Sequence, residues 1–185
     1  TKTCPKRAQM LTSQYGVPDG ELSASMRYLA QRYTMPVKAV GGLLTDIGTE
    51  ELAHMEMICA MVYQLTRDMT IEDAKTAGFD GYYIDHTKGL WPQAAGGLPF
   101  TAMEFQSKGD ALTDLMENLA AEQKARTVYD NLLRMIKDPE VRETLKFLRA
   151  REIVHFQRFG EALEKTKEHL DSRNFYYYNP EFDKK

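Results

Sequence analysis

Cysteine is close to absent from this chain. The two that occur, Cys4 and Cys59, lie far apart and make neither a Cys-x-x-Cys pair nor a disulfide framework. A disulfide-stapled fold and a four-thiolate metal domain are thereby excluded, and a reducing compartment is expected. Long apolar runs are missing as well. No segment approaches the ~18 residues of a membrane span, and no charged stretch leads into the apolar core of a signal peptide. A soluble chain with no membrane partner is the expectation. Charge of one sign is also lacking: Lys and Arg number 24 against 27 Asp and Glu, for a net charge of -3, and the two signs are interspersed. Without a basic face to neutralise phosphates, nucleic acid is not an expected partner. No nucleotide-binding motif is present either. What remains is 185 residues that are 43% hydrophobic, enough for one domain over 1–185 with a sizeable core.

Helical periodicity marks four stretches, over about 19–35, 36–66, 110–137 and 139–170, with a shorter helical piece at 6–15. In the second, Leu44, Ile47, Glu51, His54, Ile58, Val62 and Leu65 recur at steps of three and four, which is one helix face. In the third, Leu112, Leu115, Leu119, Glu122, Tyr129, Leu132 and Ile136 line up behind Asp110 as a cap. The fourth opens with Asp138 as cap and Pro139 at the first helical position. Met35-Pro36 joins the first two helices and Asp138-Pro139 the last two, so each half reads as an antiparallel hairpin. Between the halves, 67–109 holds Gly78, Gly81, Gly89, Gly96, Gly97, Pro92, Pro99 and Trp91, too long and too punctuated for a tight connection. Two hairpins and one long crossover predict an all-α, ferritin-like four-helix bundle with short terminal segments. An aromatic tail at 171–185, containing Tyr176, Tyr177 and Tyr178, falls outside that pattern.

Polar residues interrupt the apolar stripes at Glu21, Glu51, His54, Glu122, Glu152 and His155, and their spacings repeat. Thirty residues separate Glu21 from Glu51 and Glu122 from Glu152, and Tyr28 and Tyr129 each follow the first Glu of their half by seven. Both halves therefore read E-x6-Y-x22-E-x2-H, an internal repeat of about 100 residues. Glu and His at i and i+3 project from one helix face. Four buried carboxylates would be prohibitively costly without compensation, and two divalent cations supply it. One Glu from each of two helices, plus Glu-x-x-His from each of the other two, is the di-iron or di-manganese carboxylate constellation. Oxygen and imidazole donors suit manganese or iron better than a thiolate-seeking metal. Tyr28 and Tyr129 either fill core space or donate hydrogen bonds to ligand carboxylates, and the second role is expected for at least one. Glu50 and Glu56 beside the motif, and His86 and His169 outside it, are expected at the surface. Met55, Met57, Met61 and Cys59 are expected to pack.

The sequence resembles the manganese catalase family, and within it a short spore-coat branch. The resemblance rests on Gly-Val-Pro-Asp-Gly-Glu at 16 to 21, Met-Arg-Tyr-Leu-Ala-Gln-Arg-Tyr-Thr at 26 to 34, and Asp-Ile-Gly-Thr-Glu-Glu-Leu-Ala-His-Met-Glu-Met-Ile at 46 to 58. Ala-Ala-Glu-Gln-Lys-Ala-Arg at 120 to 126 and Arg-Glu-Ile-Val-His-Phe-Gln-Arg-Phe-Gly at 151 to 160 complete it. It implies that Glu21 and His54 bind one manganese, Glu122 and His155 the other, and that Glu51 bridges them. Glu152 is either a second bridging ligand or an acid/base group just outside the metals. The implied reaction is disproportionation of hydrogen peroxide, in a homo-oligomer such as a hexamer, with synthesis in the cytoplasm and then assembly into a spore coat beside other coat proteins.

The chain departs from the family in two places. Ala121 stands where some members have an Arg just before the ligand matching Glu122, and Arg126 one turn on is the expected substitute. The long C-terminal extension of larger members is replaced by the short tyrosine-rich tail. Two other readings share the bundle: a di-iron ferroxidase or peroxidase, and a structural coat protein whose metal pair serves stability alone.

Overall fold

The computed structural model describes residues 2–170, so the tail at 171–185 lies outside the described residues. Eight α-helices follow one another within this range: α1 (Pro5–Leu11), α2 (Ser13–Gly16), α3 (Glu21–Gln31), α4 (Lys38–Thr66), α5 (Ile71–Ala77), α6 (Asp80–His86), α7 (Ala111–Met135) and α8 (Pro139–Leu170). The expected stripes set the long ones. In α4 Val40, Leu44, Ile47, Glu51, His54, Ile58, Val62 and Leu65 are all buried, and in α8 Leu145, Leu148, Glu152, His155, Phe159 and Leu163 are. The Asp110 carboxylate accepts from Thr113 N at 2.8 Å to start α7, and the Asp138 carboxylate accepts from Glu140 N at 3.1 Å to start α8.

Ends differ from the periodicity by a few residues, each for a local reason. The first bundle helix runs Glu21–Gln31 because Gly20 stays extended as its cap, and a 3-10 turn over Arg32–Thr34 gives way to an extended Met35 before Pro36. The piece expected at 6–15 splits into α1 and α2 at Thr12.

Helices α3 with α4, and α7 with α8, form the two hairpins; α4 lies against α8 and α3 against α7, which closes a ferritin-like four-helix bundle. Its interior has three layers. One apolar cluster includes Ala24, Leu44, Ile47, Leu112, Leu115 and Phe159, and another includes Ile58, Val62, Leu65, Leu132, Leu145 and Leu148. The repeated Glu and His residues fall between them along the sequence of α4, between Ile47 and Ile58. Helix α1 closes the second cluster with Ala8 and Leu11, anchored by Cys4 N donating to Leu65 O at 2.9 Å.

The crossover carries α5, α6 and a 3-10 turn at Ala102–Phe105, and among the described residues its only strand-like pairing is a bridge between Gln93 and Pro99. It crosses directly over α2, where a Cβ on Gly16 would fall 2.0 Å from Gln93 N. Only glycine lets the two backbones touch there. No helix among the described residues is long and apolar enough to cross a membrane.

Candidate metal centre

Six polar side chains converge in the central layer: Glu21 from the first turn of α3, Glu51 and His54 from α4, Glu122 from α7, Glu152 and His155 from α8. None is more than 3% exposed. They fall into two overlapping sets, Glu21, Glu51, His54 and Glu152, and Glu51, Glu122, Glu152 and His155; within each set one donor atom per residue lies within 4.8 Å of the others. Glu51 and Glu152 belong to both. Glu51 reaches the two imidazoles with separate oxygens: Oε2 lies 2.8 Å from His54 Nδ1 and Oε1 lies 2.7 Å from His155 Nδ1. Glu21 stands 3.6 Å from His54 Nδ1, and Glu122 stands 3.6 Å from His155 Nδ1. The arrangement is nearly two-fold.

Protons hold the metal-free layer together. Burial pushes Glu152 well above the carboxylate range, and the charges of Glu21, Glu122 and Glu51 push it further. Burial and the Glu51 charge raise Glu21 to about 8, and burial raises Glu122. Glu51 moves the other way: burial opposes its ionisation, but hydrogen bonds with His155 and His54 outweigh that and hold it low. For the imidazoles burial alone would favour the neutral form. Glu21 and Glu51 instead lift His54 to about 10, and Glu122 and Glu51 lift His155 to about 11. Two imidazolium ions thus balance ionised carboxylate. Divalent cations bound at the Nδ1 atoms would displace those protons.

The residues fit such cations. Glu122 Oε2 and Glu152 Oε1 are buried with no hydrogen-bond partner, each a lone pair left unsatisfied in the interior. Every donor in both sets is oxygen or imidazole nitrogen, the set that manganese and iron accept.

Both tyrosines touch the layer, and they do so crosswise. Tyr28 Oη donates to Glu122 Oε1 at 2.5 Å, from the first half to the second, and Tyr129 Oη donates to Glu21 Oε1, from the second to the first. Burial and the neighbouring carboxylates raise both phenols well above their ordinary value, so they remain donors.

Three expectations need correction. Glu50 is not a solvated neighbour: it is half-buried, bonded by Arg151 from α8, with its oxygens near both imidazoles. Helix α4 packs against α8, which turns that flank inward. Arg126 does not replace the arginine missing at Ala121. It donates to Gln123 and to Asp130, one turn away along its own helix. His86 is not a plain surface residue, since its ring stacks on Trp91 at 4.6 Å between centroids. Glu56 and His169 are exposed, and Cys59 is buried, its thiol pushed up chiefly by burial. Arg151 escaped the sequence reading. The signal that would have found it is the repeat itself, which places Arg151 where the first half has Glu50.

The family model for manganese containing catalase matches residues 1–176 of the chain. Protein CotJC of Bacillus subtilis is 51% identical over 175 residues, covering 94% of this chain and 92% of that one. The probable manganese catalase of Clostridium acetobutylicum is 34% identical over 180 residues, covering 92% of this chain and 76% of its own. Among solved structures, KatB, a manganese catalase from Anabaena, superposes with a TM-score of 0.80 at 30% identity, over 89% of this chain and 74% of its own. With its repeat folded into one buried carboxylate and imidazole layer, the chain belongs to the manganese containing catalase family.

Proposed function

We infer that the chain is a dimanganese catalase that converts two hydrogen peroxide molecules into two water molecules and one O2. The observation that carries this reading is the pair of overlapping donor sets sharing Glu51 and Glu152. Glu21 and His54 would hold one ion, Glu122 and His155 the other, with Glu51 between them. The ions would supply the redox capacity, alternating between Mn(II) and Mn(III) pairs. Protein residues do the rest. Tyr28 and Tyr129 fix the outer carboxylates Glu122 and Glu21. Glu152, buried within both sets with an unpartnered oxygen, takes a proton from the incoming peroxide and returns it to the departing water. The closed layer between two apolar clusters keeps bulk water away from the reacting oxygens. Assembly as a homo-oligomer within a spore coat is supported by the resemblance to the short spore-coat branch.

Metal analysis of the protein as isolated, followed by O2 release from H2O2 after loading with Mn(II), tests the reading. Two manganese per chain and rapid O2 release are expected. A consistent two-iron content would favour a di-iron peroxidase or ferroxidase, and a metal-dependent rise in Tm with no turnover would favour a structural coat protein. Glu152→Gln should keep both ions and lose turnover by about 100-fold or more, since it retains shape but cannot shuttle a proton. Loss of metal in that variant would make Glu152 a ligand instead.

A further inference from the structure

The two histidines are bracketed by consecutive residues of one helix. Glu51 lies on the Nδ1 side of both rings, and Glu50 lies on the Nε2 side of both: Glu50 Oε1 is 3.4 Å from His54 Nε2, and Oε2 is 3.2 Å from His155 Nε2. Neither Nε2 makes a hydrogen bond in the metal-free fold, and Glu50 is the carboxylate facing both. The rings stand nearly parallel, 5.6 Å apart at 21°, so a single carboxylate spans both edges. That carboxylate is itself gripped at two points from α8, Arg151 Nε on Oε1 at 2.6 Å and the Arg151 guanidinium NH2 group on Oε2 at 3.1 Å. By the repeat, Arg151 is the counterpart of Glu50. The two facing positions hold opposite charges and pair, where two glutamates would repel.

The geometry points to Glu50 as a positioning residue that orients both imidazoles together and so links the filling of the two metal positions, with Arg151 holding it in place. The inference rests on the two-metal reading above. An imidazole that ligates through Nδ1 carries its proton on Nε2, and an acceptor for that proton fixes the ring's orientation and strengthens it as a ligand. Metal-binding histidines ordinarily have one such acceptor each. Here one carboxylate faces both, so a ring turned by the first ion draws Glu50, and with it the second ring, towards the bound arrangement.

The test is titration of the metal-free chain with Mn(II), following bound metal and the electron paramagnetic resonance spectrum. In the wild-type chain both ions should enter together, so that the exchange-coupled pair signal appears from the first additions. Glu50→Gln has one acceptor oxygen, and its amide NH2 meets the other imidazole N–H donor to donor. Its affinity should fall by about 10- to 100-fold, with the six-line spectrum of single Mn(II) ions at low loading. Arg151→Lys keeps the charge but not the two-point grip and should show a smaller shift of the same kind. If Glu50→Gln does not fold, Arg151→Lys decides alone. A wild-type titration curve and coupled spectrum in the variants, with a wild-type chain that does bind the pair, would overturn the inference only. A wild-type chain that binds no pair overturns the two-metal reading as well.

Discussion

The hairpin of α3 and α4 and the hairpin of α7 and α8 present the same donors on frames built differently. Glu21, Tyr28, Glu51 and His54 recur 101 positions later as Glu122, Tyr129, Glu152 and His155. Away from the centre the correspondence fails. In the first hairpin Leu29 sits over Gly48, and Ser25 Oγ donates to Gly48 O at 2.7 Å, so the helices close on an apolar knob and a bare backbone. The matching positions of the second hairpin are Asp130 and Arg149, with Arg126 in place of Ser25; there a carboxylate ties two guanidinium groups. The repeat is strict where side chains meet around a shared point, and free where each hairpin need only satisfy itself. Even within the centre the mates diverge. Glu51 lies within 2.8 Å of both imidazoles and is held ionised by them, whereas burial and the neighbouring carboxylates push Glu152 well above the carboxylate range.

That divergence gives the largest predicted effect. Glu51→Ala removes the carboxylate that touches both histidines, and the loss should reach both halves at once. Neither manganese should be retained on dialysis, and O2 release should fall by more than the roughly 100-fold that follows loss of an outer partner. If one ion stays bound, the two halves are independent and the nearly two-fold geometry does not reflect a shared site.

Removal of metal comes next. His54 and His155 in the metal-free fold titrate at about 10 and about 11, against about 6.5 when unfolded. Between those values the folded chain binds more protons than the unfolded chain, so its stability falls as pH rises and the histidine contribution is complete only below about 6.5. Raised Glu21, Glu122 and Glu152 act in the same direction. In the loaded protein the imidazoles are already neutral, so this loss is absent, and bound metal adds stability by mass action. Melting curves with and without chelator should therefore separate progressively from about pH 6.5 to about pH 10. Replacing either histidine by Asn should reduce the separation to a similar extent if the halves share the load.

The crossed tyrosines give a smaller effect. Tyr28→Phe frees Glu122 Oε1 in the second half, and Tyr129→Phe frees Glu21 Oε1 in the first. Each leaves a buried carboxylate short of a donor, which costs about 1–3 kcal/mol. The Tm of the loaded variants should drop by similar amounts, because the contacts are mirror images. A drop confined to one variant would show that one half braces the other without being braced in return.

The donors and the bundle were legible in the sequence because both obey simple periods. The stripe of α4 from Leu44 to Leu65 gave the helix and its buried face, and the repeat of Glu-x-x-His gave the centre. Contacts between helices follow no period, and these escaped. The inward turn of Glu50 depends on α8 lying alongside α4, and the attachment of Arg126 to Asp130 depends on competition among neighbours at one helical turn. Likewise the sequence offered two roles for each tyrosine. The choice depended on which carboxylate each phenol would meet across the bundle, and that is a property of packing. Glycine in the crossover marked punctuation, but Gly16 in α2 matters through a backbone 77 positions away that only the fold brings near.

The frames themselves should give effects no larger than these, and unequal ones. A Cβ on Gly48 would lie 2.8 Å from Leu29 Cγ, 2.9 Å from Leu29 Cδ2 and 3.3 Å from Leu29 N. The methyl meets the root of the side chain and its backbone, not a flexible tip, so Leu29 cannot simply rotate away and α3 must move. Gly48→Ala should cost about 1–3 kcal/mol as overpacking, even though alanine is the better helix former. Asp130→Ala breaks two ion pairs at the matching place, but the groups are about a quarter to a third exposed. Pairs in that setting contribute under about 1 kcal/mol. Urea unfolding of both variants at the same saturating manganese concentration should therefore rank Gly48→Ala as the more damaging. Raising the salt should weaken the wild-type second hairpin and leave Asp130→Ala almost unchanged, since screening acts only on a charge pair that is still there. A reversal of the ranking would mean that the second hairpin depends on its ion pairs as firmly as the first depends on its close contact.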